Sequence, residues 1–137
     1  MSVRSKPYNF QAEHCEWATP QSFFDALNRE FGFTLDACAS AENAKCERFY
    51  SLSDESLTKP WEGTVWCNPP YGRSMYLWVR KAFESAMAGA TVVMLLPART
   101  SVPHFHDYCL RGEIRWVQGR LKFGGGVTVQ PRLIALW

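Results

Sequence analysis

The chain has 137 residues, 47% of them apolar, with 15 basic and 13 acidic side chains and a net charge of +2. That length suits one domain with a sizeable core, and the composition is that of a globular protein rather than a disordered or fibrous one. No apolar run approaches the roughly 20 residues of a membrane helix, and residues 1–10 lack a signal-peptide core; a soluble, cytoplasmic protein is expected.

Residues 1–13 show no periodicity and read as a loose arm, leaving 14–137 as a single domain. Thr19 and Pro20 open a helix, as N-cap and first helical residue. Phe23, Phe24, Leu27 and Phe31 give it an apolar face, and Gly32 closes it. Phe33 to Asp36 reads as a short strand ending in a carboxylate. Small residues dominate 37–45, Phe49-Tyr50 reads as another short strand, and 51–59 is polar. Thr64-Val65-Trp66-Cys67 is an apolar strand running into Asn68-Pro69-Pro70-Tyr71. Met75 to Met87 is helical, with Met75, Leu77, Trp78, Ala82, Phe83 and Ala86 on one side and Gly89 after it. Thr91 to Leu96 is a strand buried on both faces, stopped by Pro97. Val102 to Leu110 reads as a helix. Glu113 to Phe123 alternates like strands around a Gln118-Gly119 turn, Gly124-Gly125-Gly126 is a mobile link, and Leu133 to Trp137 is a last strand. Helices alternating with strands predict an α/β layered domain with a mostly parallel sheet and an antiparallel C-terminal edge. Ligands bind such folds beyond the strands' C-terminal ends, which places Asp36, Asn68 and Pro97 on one rim.

Chemistry concentrates at Asn68-Pro69-Pro70-Tyr71. Each proline excludes the helical region for the residue before it, fixes its own φ and offers no N–H. The segment is therefore short and extended, with the Asn68 side-chain oxygen and the Pro69 carbonyl able to converge as acceptors. Two acceptors suit a planar group bearing an exocyclic amine, whose two N–H bonds they take while drawing the nitrogen towards tetrahedral geometry. Tyr71 can stack on such a ring, and stacking on an aromatic side chain contributes about 1–3 kcal/mol per base.

Asn68-Pro69-Pro70-Tyr71 is the signature of amino-directed methyltransferases that use S-adenosylmethionine. Trp17-Ala18-Thr19-Pro20, Phe33-Thr34-Leu35-Asp36-Ala37-Cys38-Ala39, Trp66-Cys67-Asn68-Pro69-Pro70-Tyr71 and Leu95-Leu96-Pro97-Ala98-Arg99 occur in that order. Together they resemble the phage-type (Dam-like) DNA N6-adenine methyltransferases over residues 14–137. The resemblance implies a Rossmann-like methyltransferase fold without a separate target-recognition domain. It implies S-adenosylmethionine as methyl donor, adenine N6 in double-stranded DNA as acceptor, a phage or prophage origin and a GATC-like target. It also implies catalytic roles for Asn68, Pro69, Pro70 and Tyr71. Cofactor contacts are implied for Thr19, Pro20, Asp36, Ala37, Cys38, Asp54 and Asn68, with Asp36 facing the methionine ammonium and Asp54 the cofactor's adenine amine. The chain departs from many methyltransferases in having no glycine between Asp36 and Ser40, where small residues must allow close approach instead.

Residues 99–137 carry six basic and two acidic side chains, against nine and eleven in residues 1–98. A basic end on a near-neutral body points to phosphate contacts, and Arg73, Arg99, Arg120 and Lys122 are the candidates for DNA contact. Five cysteines, an odd number with no C-x-x-C pair, fit a reducing cytoplasm and no metal site; a monomer is assumed. The residues alone leave two alternatives: methylation of another planar amine (an RNA adenine or a protein glutamine), and a non-catalytic DNA-binding relic of the fold.

Overall fold

A computed structural model describes residues 18–123, 127–128 and 131–137. The expected arm over 1–13 and the glycine link over 124–126 lie outside the described residues.

Helix α1 (Gln21–Phe31) ends at Gly32, whose φ of 70° is the left-handed conformation that glycine adopts without a Cβ penalty. Its start differs from expectation. Pro20 is the N-cap and no side chain caps the helix, because the Thr19 hydroxyl is engaged elsewhere, with Asn68. Strand β1 (Leu35–Asp36) is shorter than the four residues expected. Phe49 adds only a single parallel bridge to Asp36, and two short 3₁₀ turns, Leu52–Asp54 and Ser56–Thr58, fill the next segment.

Strand β2 (Thr64–Cys67), helix α2 (Met75–Met87) and strand β3 (Thr91–Pro97) follow as the apolar patterns dictate. Leu77, expected on the covered side of α2, is 44% exposed, and Val79 is buried in its place. Helix α3 (Pro103–Asp107) is shorter than the nine residues expected. Tyr108, with φ −129°, breaks it before the 3₁₀ turn Cys109–Arg111. Strands β4 (Glu113–Trp116), β5 (Lys122–Phe123), β6 (Val127–Thr128) and β7 (Arg132–Leu136) complete the chain.

The main sheet has the order β1-β2-β3-β7-β4, and β5 pairs with β6 in a separate ribbon. Pairing is parallel from β1 to β3 and antiparallel on both sides of β7. The antiparallel strand is therefore not the margin: β7 inserts between β3 and β4, leaving β4 at the edge. Local alternation could not reveal this, because adjacency in a sheet is set by packing across sequence.

Side chains alternate across the sheet. Val65, Cys67, Val92, Met94, Leu96, Leu133 and Ala135 face Met75, Trp78, Val79 and Ala82 of α2. Trp66, Val93, Leu95 and Ile134 face Phe24 of α1, with Phe23, Leu27 and Phe31 around it. Phe24 meets Trp66 edge-on at 5.4 Å between ring centroids, a favoured aromatic geometry. Each fully buried aliphatic side chain contributes about 1.5–3 kcal/mol, so the two layers of helix hold β2 and β3 rigidly. Those strands carry the site. Among the described residues, no helix is long and apolar enough to cross a membrane.

Candidate active site

Asp36, Asn68 and Pro97 stand at or just beyond the C-terminal ends of three adjacent parallel strands, so the expected rim exists. Arg132 joins it. Antiparallel β7 starts where β3 ends, and register pairs Arg132 with Pro97.

Asn68 is nearly buried, at 9% exposure, and the rings of Pro69 and Pro70 are fully buried. The prolines thus anchor the segment, and what they offer a ligand is main chain. Four polar groups form a chain through Asn68. Arg132 Nε donates to the Tyr71 hydroxyl at 2.8 Å, and that hydroxyl donates to Asn68 Oδ1 at 3.2 Å. Asn68 Nδ2 donates to Thr19 Oγ1 at 3.1 Å. The Arg132 guanidinium also lies over the Tyr71 ring, 4.6 Å from its centroid. Burial pushes the Tyr71 phenol up to about 12, against the opposing pull of Arg132. Tyr71 is therefore a neutral hydroxyl at any working pH.

Asp36 is 2% exposed. Its Oδ1 accepts from the Cys38 N–H at 3.2 Å and its Oδ2 from the Lys45 N–H at 3.0 Å. These bonds fold the 37–45 loop back over the carboxylate. Burial raises the Asp36 pKa from 3.8 to about 7, a shift that both N–H donors and the Lys45 charge oppose. Lys45 Nζ bonds Gln21 Oε1 at 2.9 Å, tying the loop to α1.

The backbone after Asp36 is clamped on both sides. Ala37 N–H donates to Trp66 O at 2.9 Å and Ala39 N–H to Tyr50 O at 3.0 Å. Ala37 and Ala39 are buried, so small side chains let this turn lie close to its neighbours where no glycine is present. Cys38 is disulfide-bonded, whereas Cys46, Cys67 and Cys109 are free thiols.

Two concavities meet at Cys38. The larger, about 270 Å³, is lined by Ala37, Cys38, Tyr50, Ser51, Leu52, Trp78 and residues 55–58. The smaller is a crevice with room for about one water, 10 Å³, between Thr19, Asp36, Cys38, Lys45, Trp66 and Asn68. Asn68 and Asp36 thus share a cleft rather than being separated by packed core.

Asp54 does not line the larger cavity. Its Oδ2 accepts from the Ser51 N–H at 2.6 Å and the Ser51 hydroxyl at 2.9 Å, a reciprocal capping arrangement that closes its own turn. Glu55, the next residue, lines the cavity instead and holds a left-handed φ of 53°, a conformation that costs a non-glycine residue roughly 1–2 kcal/mol. Sequence reading missed Glu55, Trp78 and Arg132. Their only signal was position: one beside the acidic turn, one on the α2 face, one opening the last strand.

Arg73 and Arg99 are exposed in the loops leaving β2 and β3 at the same rim. Arg120 and Lys122 are also exposed and follow Val117, whose N–H bonds Arg132 O at 3.2 Å. Arg115, by contrast, is tied to Glu30 and Glu113 by ion pairs of 2.7 Å.

Comparison with known proteins identifies the family. The chain is 38% identical over 109 residues to a "DNA N-6-adenine-methyltransferase" of Escherichia phage T1, covering 77% of this chain and 45% of the relative. It is 37% identical over 98 residues to a protein of the same description from Haemophilus phage HP1 (strain HP1c1), covering 69% of this chain and 56% of the relative. The chain thus spans about half the length of the curated relatives it matches. The family profile described as DNA N-6-adenine-methyltransferase (Dam) matches residues 8–132, a span containing all four polar partners from Thr19 to Arg132. The chain belongs to the DNA N-6-adenine-methyltransferase (Dam) family.

Proposed function

We propose that this chain transfers a methyl group from S-adenosylmethionine to N6 of an adenine in DNA, at a GATC-like site, as a phage-type enzyme. The observation that carries this reading is the Asn68 amide. It sits at a strand end, its oxygen faces Tyr71, and it shares a crevice with a buried carboxylate.

The larger concavity fits the nucleoside part of such a cofactor in size and chemistry. A mostly apolar cavity of about 270 Å³, edged by Ser51, Glu55 and Ser56, suits a nucleoside. The adjoining crevice has room for only about one water, so it would offer Asp36 and Thr19 as polar partners at its mouth, where the ammonium of the amino-acid tail would reach them. Ala37 and Cys38 would lie between the two parts, with Asp36 accepting from the ammonium. The bound cofactor supplies an electrophilic methyl carbon on a sulfonium.

The chain's own residues do the rest. Asn68 Oδ1 has two lone pairs, of which Tyr71 takes one; the other is available to the adenine amine. The Pro69 carbonyl would take the second N–H, so the nitrogen lone pair is drawn out of conjugation. The target base would stack against the Tyr71 ring. An adenine within a duplex must first be flipped out, at a cost of a few kcal/mol. Arg73, Arg99, Arg120 and Lys122 would hold the flanking phosphates, which position the duplex without reading its bases.

The test is incubation with labelled S-adenosylmethionine and unmethylated duplex DNA, followed by nucleoside analysis and methylation-aware sequencing. N6-methyladenine confined to one short sequence supports the reading. Label found in RNA or protein but not in DNA overturns it.

A further inference from the structure

We propose that Arg132 is a positioning residue that decides which end of the Asn68 amide faces the target amine, acting through the Tyr71 hydroxyl. This rests on the methyl-transfer reading above and adds to it a residue that the sequence patterns did not single out.

The argument is one of donors and acceptors. A guanidinium has only donors and does not lose its proton in a protein. Arg132 Nε, 2.8 Å from the Tyr71 oxygen, must therefore donate to it. The phenol is held neutral by burial, so its single proton is left to point elsewhere, and the Asn68 side chain lies 3.2 Å away. With its oxygen already accepting from Arg132, the hydroxyl has its proton to give, and Asn68 meets it with an oxygen; a reversed amide would instead bring N–H₂ to compete with Arg132 Nε for the phenol oxygen and would withdraw Asn68 as the proton's acceptor. The reversed amide would also aim an N–H₂ at the place where an acceptor is needed. Thr19 reads the same orientation from the other end, its Oγ1 accepting from Asn68 Nδ2.

The fold makes Arg132 unusually able to do this. It is 3% exposed, the first residue of β7, and fixed in register opposite Pro97. Its guanidinium is stacked on the same ring whose hydroxyl its Nε contacts, 4.6 Å from the centroid. Stacking and hydrogen bonding together restrict both the ring and its hydroxyl. A lysine offers a point charge without the planar fork, so Arg132→Lys should restore only part of what Arg132→Met loses.

The experiment is a double-mutant cycle of Arg132→Met and Tyr71→Phe, read as methyl transfer to duplex DNA, with cofactor binding measured by calorimetry. Each single variant should lower kcat by about 100-fold, the scale of a small misplacement of a reacting group. KM for DNA and the cofactor Kd should stay within about threefold, and the double variant should be no worse than the poorer single, as expected of residues acting in one network. Arg132→Lys should recover part of kcat. Losses that multiply in the double variant, or a loss confined to KM for DNA, would overturn the proposal in favour of an independent phosphate contact. If Arg132→Met fails to fold, Tyr71→Phe carries the test alone, since wild-type kcat without the phenol is incompatible with a relay through it. An inactive wild-type chain would sink the methyl-transfer reading. An active chain indifferent to both substitutions sinks only the role of Arg132.

Discussion

Asp36 and Asn68 end two neighbouring parallel strands and line one crevice, with Asp36 in register beside Trp66, two residues before Asn68. In the proposed reaction this buried carboxylate and amide acceptor on one rim would serve two different recognitions, one of an ammonium and one of a planar amine.

Asn68→Ala removes the acceptor, the Tyr71 hydroxyl's partner and Thr19's donor together. Methyl transfer should fall by at least about 100–1,000-fold, the range seen when one positioned hydrogen-bonding group is removed from an active site. Cofactor affinity should fall far less than transfer, because Asn68 borders only the crevice proposed for the cofactor's tail and not the cavity proposed for its nucleoside. Single-turnover kinetics with calorimetry checks both halves.

If Asp36 pairs with the cofactor's ammonium as proposed, cofactor binding depends on pH. The Asp36 carboxyl holds a proton up to about 7 when the cleft is empty, yet pairing with an ammonium needs the ionised form. Binding therefore releases a proton below pH 7, and affinity should rise about tenfold per pH unit up to that point. The ligand's own amine, with a pKa of roughly 8, should turn the curve down above it. Asp36→Asn should weaken binding and remove the rising limb; an unchanged pH profile in that variant refutes the pairing.

The same carboxyl affects folding with the opposite trend. The folded chain keeps a proton that the unfolded chain releases near 3.8. Its contribution is thus fully present below pH 3.8 and lost as pH rises through 7. Stability of the ligand-free protein should decline across that window by up to about 1.4 kcal/mol per unit. Denaturant melts at several pH values, compared with Asp36→Asn, measure this slope.

Ala37 is fully buried and lines the larger cavity. Ala37→Leu should intrude on that space and weaken cofactor binding at least about tenfold, with a stability cost of about 1–3 kcal/mol from overpacking. Calorimetry and a thermal melt separate the two effects, and full cofactor affinity would place the nucleoside elsewhere.

Arg73 and Arg99 are exposed beside the strand ends, while Arg115 is held by two glutamates. Replacing either Arg73 or Arg99 with Gln should reduce the slope of log affinity against log salt by about 0.9 for each phosphate no longer neutralised. Arg115→Gln should leave the slope unchanged. Titrations of duplex DNA over a salt series provide the measurement.

Local pattern was sufficient for several elements. The spacing of apolar residues located α2 from Met75 to Met87, and the run from Thr91 located β3, because a helix face and a doubly buried strand each leave a periodic trace. Gly32 marked the end of α1 by its lack of a Cβ. The shorter elements left no such trace. β1 is two residues long, and α3 stops at Asp107, since Tyr108 leaves helical geometry within an unbroken apolar pattern.

What the sequence determined by itself was the chemistry on offer: a proline-stiffened Asn68-Pro69-Pro70-Tyr71 segment after an apolar strand, and a carboxylate at the end of another. Periodicity and backbone restriction are local properties, so they survive without any knowledge of partners. Only the tertiary structure decided who meets whom. It diverted the Thr19 hydroxyl from a helix cap to Asn68, committed Asp54 to its own turn and left Glu55 at the cavity. Above all it slid β7 between β3 and β4, delivering Arg132 to Tyr71 across 61 residues of chain. Such contacts depend on strand order and register, which arise from burying both faces of the sheet at once and are encoded in no single stretch of residues.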